Sequence, residues 1–228
     1  MCLILLAWRM RTEDRLIVAA NRDEYHARPA QPAGFWPEAP HILAGRDLQA
    51  GGTWLGVARS GRFAAVTNYR GGRDPSATHS RGALVAQFLA GTAPPDAYVA
   101  EVAERRGAYS GFNLLVADER ELWWLSNRDG APRRLAPGVY GLGNFLLDTP
   151  EVTDAKARFA QTLQPHAPSP ETLFRLLDEA RIVSPEYGTR CATVLFVGAC
   201  GRTRFAERAY DAAGAAGDTV YFEFAPRG

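Results

Sequence analysis

The sequence predicts an α+β fold in which two antiparallel sheets carry helices on their outer sides. Three observations lead there. Apolar runs of strand length come in pairs joined by short polar or turn-rich links, the helix-like segments fall into two blocks instead of alternating with strands, and no fixed-period repeat or long linker interrupts the 228 residues. The last point makes residues 1–228 a single domain. The second disfavours a TIM barrel or a doubly wound sheet, both of which need a helix after nearly every strand.

The chain opens with two buried strands. "LILLAW", Leu3 to Trp8, is one continuous apolar run and residues 16–20 are another, so the charged segment 9–15 reads as a hairpin connection. Residues 29–40 are expected to be a loop, facing solvent or walling a pocket, because Pro29, Pro32, Pro37 and Pro40 withhold ladder donors. "TWLGVA" and "RFAAVTNY" then flank a turn at Arg59, Ser60 and Gly61. "SRGALVAQFLAG" begins at the capping residue Ser80 and stops at Gly91, and Pro94 and Pro95 introduce a second helix over 96–106. "GFNLLVAD" and "ELWWLSN" return to strands, and Val139 and Tyr140 lead into "GLGNFLLDTP". Helical spacing recurs over 152–163 and 170–182, after which "ATVLFVG", "TRFAERAY" and "TVYFEFA" are strands, with the small-residue segment 209–217 as a flexible hairpin loop.

Composition excludes several classes of function. The 26 Lys and Arg are balanced by 25 Asp and Glu, a net charge of +1, so no global field draws the chain to nucleic acid or anionic lipid. "CLILLAW" is far shorter than the ~20 residues that span a bilayer and lacks a basic leader and a cleavage site, which argues against stable membrane insertion and against secretion. Three cysteines, Cys2, Cys191 and Cys200, suit a reducing cytoplasm, or an organelle matrix in a eukaryote. His26, His41, His79 and His166 show no metal-ligand spacing, and no glycine loop follows a strand into a helix, so neither a metal nor a nucleotide is expected.

Cys2 is the most informative residue. Its small side chain should permit removal of the initiator methionine, and it would then hold a sulfur nucleophile and a free α-amine together; with reference pKa values of about 8.5 and about 7.7–8.0, one can take a proton from the other near neutrality. The alternative is a small thiol at the edge of a core strand. "NRDEY" follows the second apolar run, where dense polar groups must form either a network or a pocket rim: Asn21, Arg22, Asp23 and Glu24 are therefore supporting candidates. Asp23 could accept a hydrogen bond from a terminal ammonium, and Arg22 could favour a thiolate or grip a substrate carboxylate. Trp36, placed in the proline-rich loop, and Tyr69 are candidate walls of an apolar pocket. Arg190 beside Cys191 suggests an inward-facing charge that Thr189 and Thr193 could assist, although an arginine can also snorkel out.

"MCLILLAW", "ANRDEYHARP", "GGTWLGV", "VTNYR", "GLGNFLLDTP" and "YGTRCATVLFV" occur in an order that closely resembles the NRDE family, also called the transport and Golgi organization 2 family. The resemblance implies the four-layer αββα fold of N-terminal-nucleophile hydrolases of the choloylglycine hydrolase and penicillin V acylase type. Carried over from those acylases, Cys2 is similar to their nucleophile and Asp23 to the aspartate that positions its amine. Asn144 and Asn68 resemble their oxyanion donors, and Arg190 their late arginine. Arg22 departs from the pattern, since the relatives place an arginine three residues before the aspartate, where this chain has Ala20. Cys2, Asp23, Asn144 and Arg190 are thus expected to converge. The implied function is a cofactor-free cysteine amidohydrolase acting on a non-peptide carbon–nitrogen bond of a small or acylated molecule; the alternative is a non-catalytic haem or acyl-lipid binding or trafficking protein on the same fold.

Overall fold

The computed structural model describes residues 2–71 and 74–225. Its first strands are β1 (Leu3–Trp8), β2 (Asp14–Tyr25), β3 (Ala30–Trp36), β4 (Ala39–Asp47), β5 (Leu55–Ala58) and β6 (Phe63–Asn68). Helices α1 (Arg81–Ala90) and α2 (Pro95–Glu104) come next, then β7 (Phe112–Ala117), β8 (Leu122–Ser126), β9 (Arg133–Leu135) and β10 (Gly138–Leu142). Helices α3 (Thr153–Thr162) and α4 (Pro170–Asp178) precede β11 (Tyr187–Gly198), β12 (Thr203–Tyr210) and β13 (Ala216–Phe224). The expected α+β class is correct, with two helix blocks and antiparallel pairing throughout the described strands.

Two compact units divide these elements. The first takes the chain up to Arg28 together with Pro137–Gly143 and Leu147–Ala225, and the second takes Pro29–Ala136 and Asn144–Leu146.

The first unit is a six-stranded sheet in the order β10-β1-β2-β11-β12-β13. β1 is buried at all six positions, which is why it reads as an unbroken apolar run rather than an alternating one. Leu3, Leu5, Ala7, Ile17, Ala19, Ala192, Val194 and Phe196 form the sheet face that packs against Phe159 of α3 and Leu173, Phe174 and Leu177 of α4. Ser169 caps α4 by accepting the Thr172 N–H at 3.1 Å, and Pro170 occupies its first turn. Each buried leucine or phenylalanine of α4 contributes about 1.5–3 kcal/mol of transfer free energy to this packing. The helix ends at Asp178, short of the expected 182, and the difference has a cause in the site: Ile182 pairs through its backbone with Thr189 instead of extending the helix.

The second unit is a seven-stranded sheet in the order β3-β4-β5-β6-β7-β8-β9. Leu84, Val85, Phe88 and Leu89 put one stripe of α1 onto it, and Tyr98, Val99 and Val102 do the same for α2. Ser80 stands at the N-cap of α1, but its side chain makes no capping bond. Gly52, at φ +82°, lies so near the α1 N-terminus that an added Cβ would be 2.6 Å from the Gly82 oxygen.

The proline-rich stretch is the clearest departure from the sequence reading. Residues 30–36 and 39–47 are strands, not a loop, and β3 is the edge of its sheet. Pro32 is tolerated there because an edge strand leaves one row of backbone donors without ladder partners and because the register shift between Gln31 and Gly34 falls at it, whereas Pro29 and Pro37 lie outside the strands and Pro40 precedes the β4–β5 register that starts at Ile42.

Candidate active site

The site in the first unit begins with the β1–β2 hairpin. β1 pairs antiparallel with β2 from Leu3 opposite Asn21 to Trp8 opposite Leu16, so the next residue outward, Cys2, meets the "NRDE" end of β2. The Asp23 N–H donates to Cys2 Sγ at 3.4 Å, and the thiol donates back to the Asp23 carbonyl at 3.4 Å. Local hairpin geometry alone therefore delivers the thiol to the aspartate.

The third wall comes from far along the chain. β11 runs antiparallel to β2 and places Thr189 opposite Asp23, where Thr189 Oγ1 donates to Asp23 Oδ1 at 2.6 Å. The same hydroxyl oxygen accepts the Ile182 N–H at 2.9 Å. Both Thr189 and Asp23 are buried at 2% exposure, so this bond orients the carboxylate where water does not. Tyr187 adds its hydroxyl, which donates to the Asp23 carbonyl at 3.2 Å, and its ring meets Tyr25 edge-on at 5.3 Å. Asp23 thus presents its N–H and C=O to the thiol and its side chain to Thr189.

Electrostatics oppose a thiolate at this position in the chain that retains Met1. Burial pushes the Cys2 thiol up to about 11, and the Asp23 charge adds to that, while the Asp23 backbone hydrogen bond and the Arg22 charge act in the other direction. Burial raises the Tyr187 phenol as well, followed by the charges of Cys2 and Asp23, so it serves as a neutral donor.

The other residues singled out by the sequence fall as follows. Asn21 is buried on the helix-facing side and donates to the Leu177 carbonyl at 2.9 Å, holding the end of α4. Arg22, 7% exposed, stands opposite Cys191 in the β2–β11 register. Glu24 accepts the Tyr25 N–H at 2.9 Å and lies 3.8 Å from the Arg28 guanidinium, an ion pair at the strand end. Arg190 is the extra residue of a bulge between Thr189 and Cys191, and its Nη1 donates to the carbonyls of Tyr25, His26 and Arg28 at 3.0, 3.1 and 3.2 Å. The expected help from the threonines goes elsewhere. Both threonines are engaged with other partners: Thr189 donates to Asp23 at 2.6 Å, and Thr193 donates to Glu207 at 3.0 Å.

In the second unit Asn68 and Asn144 meet directly. Asn144 Nδ2 donates to the Asn68 carbonyl at 2.8 Å, and the Asn144 carbonyl accepts the Arg70 N–H at 2.6 Å. Asn68 is the exposed last residue of β6, and it contributes its backbone oxygen to this pair. Tyr69 packs edge-on against Phe145 at 6.2 Å. Trp36 ends β3 instead of sitting in a loop; it is 8% exposed, donates its indole N–H to the Ala44 carbonyl at 3.2 Å and carries the Arg46 guanidinium 4.6 Å from its ring centre. That makes it part of the α1–α2 core, and the edge-strand position explains why the prolines concealed it.

Sequence reasoning passed over Tyr187 as a site residue, and over the buried cluster in which Cys191 and Thr193 donate to Glu207, at 3.6 and 3.0 Å. Glu207 lies within the strand run "TRFAERAY", where the sequence carries no signal of this role, and it is 4% exposed.

Two solved structures share this architecture. A Caenorhabditis elegans N-acylethanolamine-hydrolyzing acid amidase ortholog superposes with a TM-score of 0.54 at 12% identity, over 85% of this chain and 92% of that one. The C2A mutant of a conjugated bile acid hydrolase from Clostridium perfringens does so with a TM-score of 0.54 at 8% identity, over 90% and 88%. With a cysteine at the head of β1 and an aspartate across the hairpin, the chain has the fold of the N-terminal-nucleophile hydrolases. By sequence it belongs to the transport and Golgi organisation 2 family, whose model matches residues 1–185. The bovine homologue is 34% identical and the human one 32%, each over 91% of this chain and 92% of its own length. The Drosophila melanogaster protein is 31% identical over 70% of this chain and 63% of its own.

Proposed function

We propose that this chain is a cysteine N-terminal-nucleophile amidohydrolase that opens the carbon–nitrogen bond of a small or acylated amide. The observation that carries the reading is the seating of Cys2 Sγ between the N–H and C=O of Asp23, whose carboxylate is itself held by Thr189. The names of the fold relatives, one hydrolysing N-acylethanolamines and one conjugated bile acids, agree with that reaction class.

The chemistry needs the α-amine of Cys2, which exists only once Met1 is removed; Met1 lies outside the described residues. Removal moves the terminal ammonium onto the nucleophilic residue itself, where its charge favours the thiolate that burial disfavours. The thiolate attacks the amide carbon, and the carbon–sulfur bond forms as negative charge moves to the oxygen. Asn144 is the donor assigned to that oxygen. A primary amide has two N–H groups, and the bond to Asn68 uses one of them. Collapse breaks the carbon–nitrogen bond, the leaving amine takes its proton from the Cys2 ammonium, and water then hydrolyses the thioester with the Cys2 amine as base. Asp23 orients that amine. Arg190, with Nη1 committed to three carbonyls, supports the strand end that carries Asp23.

The test is single-turnover acylation by a panel of activated amides of varied acyl length. The methionine-free wild type forms a thioester, Cys2→Ala forms none, and Asn144→Ala forms it about 100- to 1000-fold more slowly with little change in probe binding. Absence of any adduct across the panel, with Asn144→Ala indistinguishable from wild type, contradicts the proposal.

A further inference from the structure

β7 has the sequence FNLLVA, and every residue in it is buried. A carboxamide in such a strand costs free energy unless its polar atoms are used, so Asn113, 0% exposed, needs a reason that its neighbours do not. Its Nδ2 donates both to Thr67 Oγ1 at 3.1 Å, on the neighbouring strand β6, and to the Phe145 carbonyl at 2.6 Å. A backbone carbonyl can only accept, which fixes the orientation of the amide.

The residue bonded to Asn113 is the one after Asn144. Three hydrogen bonds therefore tie the short segment Asn144–Leu146 to the ends of β6 and β7: Arg70 N–H to the Asn144 carbonyl, Asn144 Nδ2 to the Asn68 carbonyl, and Asn113 Nδ2 to the Phe145 carbonyl. Of these, the Asn113 bond alone begins from a fully buried side chain inside a strand, so it is the anchor least able to move. The other two begin at Arg70, which is exposed, and at Asn144 itself. Phe145 is gripped further by the Tyr69 ring and by the Arg70 guanidinium 5.8 Å from its ring centre. In chemical terms, a donor aimed at charge that develops during a reaction must be held still beforehand, because an error of about 1 Å costs on the order of a hundredfold in rate.

We propose that Asn113 is a positioning residue, which acts through the Phe145 carbonyl to fix the Asn144 amide for acyl transfer. The proposal rests on the amidohydrolase reading, and its experiment separates the two.

Acylation of the methionine-free chain by activated amides is measured for wild type, Asn113→Ala, Asn113→Asp, Asn144→Ala and the Asn113→Ala/Asn144→Ala double variant, alongside hydrogen exchange at the Arg70 amide. Asn113→Ala is expected to slow acylation about 10- to 100-fold while probe binding changes less than about twofold. Asn113→Asp keeps the shape but turns an acceptor toward the Phe145 oxygen, so it rescues nothing. The double variant is no slower than Asn144→Ala alone, because Asn113 acts only through Asn144; a general structural defect would instead multiply the two losses. Exchange at Arg70 quickens in Asn113→Ala, since the carbonyl it bonds is no longer held. Multiplicative losses, or wild-type rates in both Asn113 variants, overturn the proposal even though the hydrolase reading stands. If the wild type forms no adduct, the hydrolase reading fails and takes the positioning role of Asn113 with it, while unchanged Arg70 exchange would show that Asn113 does not hold the segment either.

Discussion

Thr189 and Asp23, 166 positions apart, are joined by a 2.6 Å hydrogen bond across the β2–β11 pair, immediately before the bulge that carries Arg190. The bond links the two halves of the first unit's site, since Asp23 also holds the Cys2 thiol and Thr189 also takes the Ile182 N–H. Loss of the threonine hydroxyl leaves a buried carboxylate oxygen short of a donor, at a cost of about 1–3 kcal/mol. Thr189→Val should lower the denaturation midpoint accordingly and slow acylation, whereas Thr189→Ser, which keeps the hydroxyl, should stay close to wild type. Equal losses in both variants would show that packing rather than the hydrogen bond matters.

Arg190 is expected to be a structural fastener first. Its Nη1 holds three carbonyls, of Tyr25, His26 and Arg28, at the exit of β2, so Arg190→Ala should destabilise the chain by about 1–2 kcal/mol and raise hydrogen exchange at the His26 amide, which bonds the Glu186 carbonyl, and at the Arg28 amide, which bonds the Tyr25 carbonyl. Arg190→Lys, which has no planar fork, should recover less than half of the loss. Unchanged exchange at those two amides would contradict this placement.

The three thiols should react in a definite order. Cys200 is exposed and Cys2 half-buried, whereas Cys191 is buried, with burial first and then the Glu207 charge pushing its thiol well above the ordinary range. Native-state alkylation followed by peptide mass measurement should therefore modify Cys200 first, Cys2 second and Cys191 last. Modification of Cys191 at a rate near that of Cys200 would mean that the buried cluster with Glu207 opens in solution.

Cys2 also gives a pH dependence with a definite sign. In the chain that retains Met1 its thiol titrates at about 11 rather than at the ordinary 9.0, so between those values the folded form holds a proton that the unfolded form has released. The stability contributed by Cys2 is complete below pH 9 and declines as the pH rises toward 11; Cys2→Ala should flatten that part of the stability profile. Exposure of the Cys2 ammonium by removal of Met1 should shift the alkylation midpoint downward. An identical midpoint in both forms would mean that the amine does not act on the thiol.

The parts of this site that the sequence discloses are those built by local geometry. Cys2 and Asp23 are 21 positions apart on one hairpin, and two adjacent apolar runs are enough to place them side by side. Thr189 and Tyr187 reach the same aspartate only through the pairing of β2 with β11, which no periodicity reveals, so the sequence associates Thr189 with its neighbour Arg190 and gives no sign of Tyr187. The bulge explains the error. An inserted residue reverses which side chain serves which partner, and no turn residue announces it. Likewise the prolines of 29–40 argue for a loop because proline breaks interior ladders, but Pro32 is on an edge strand, Pro29 and Pro37 lie outside the strands, and Pro40 stands at the start of β4 before its pairing with β5.

The central claim is that Cys2 becomes a nucleophile when it is the first residue. It is tested most directly by trapping: two preparations, one quantitatively free of Met1 and one with Met1 kept in place by a blocked terminus, are exposed to the same activated amide, quenched in acid and read by intact mass and N-terminal peptide mass. The account predicts a single acyl adduct on the Cys2 sulfur of the methionine-free chain, at least about tenfold less on the blocked chain, and none on Cys2→Ala. Equal labelling of the free and blocked chains, or an adduct that survives in Cys2→Ala, would contradict it.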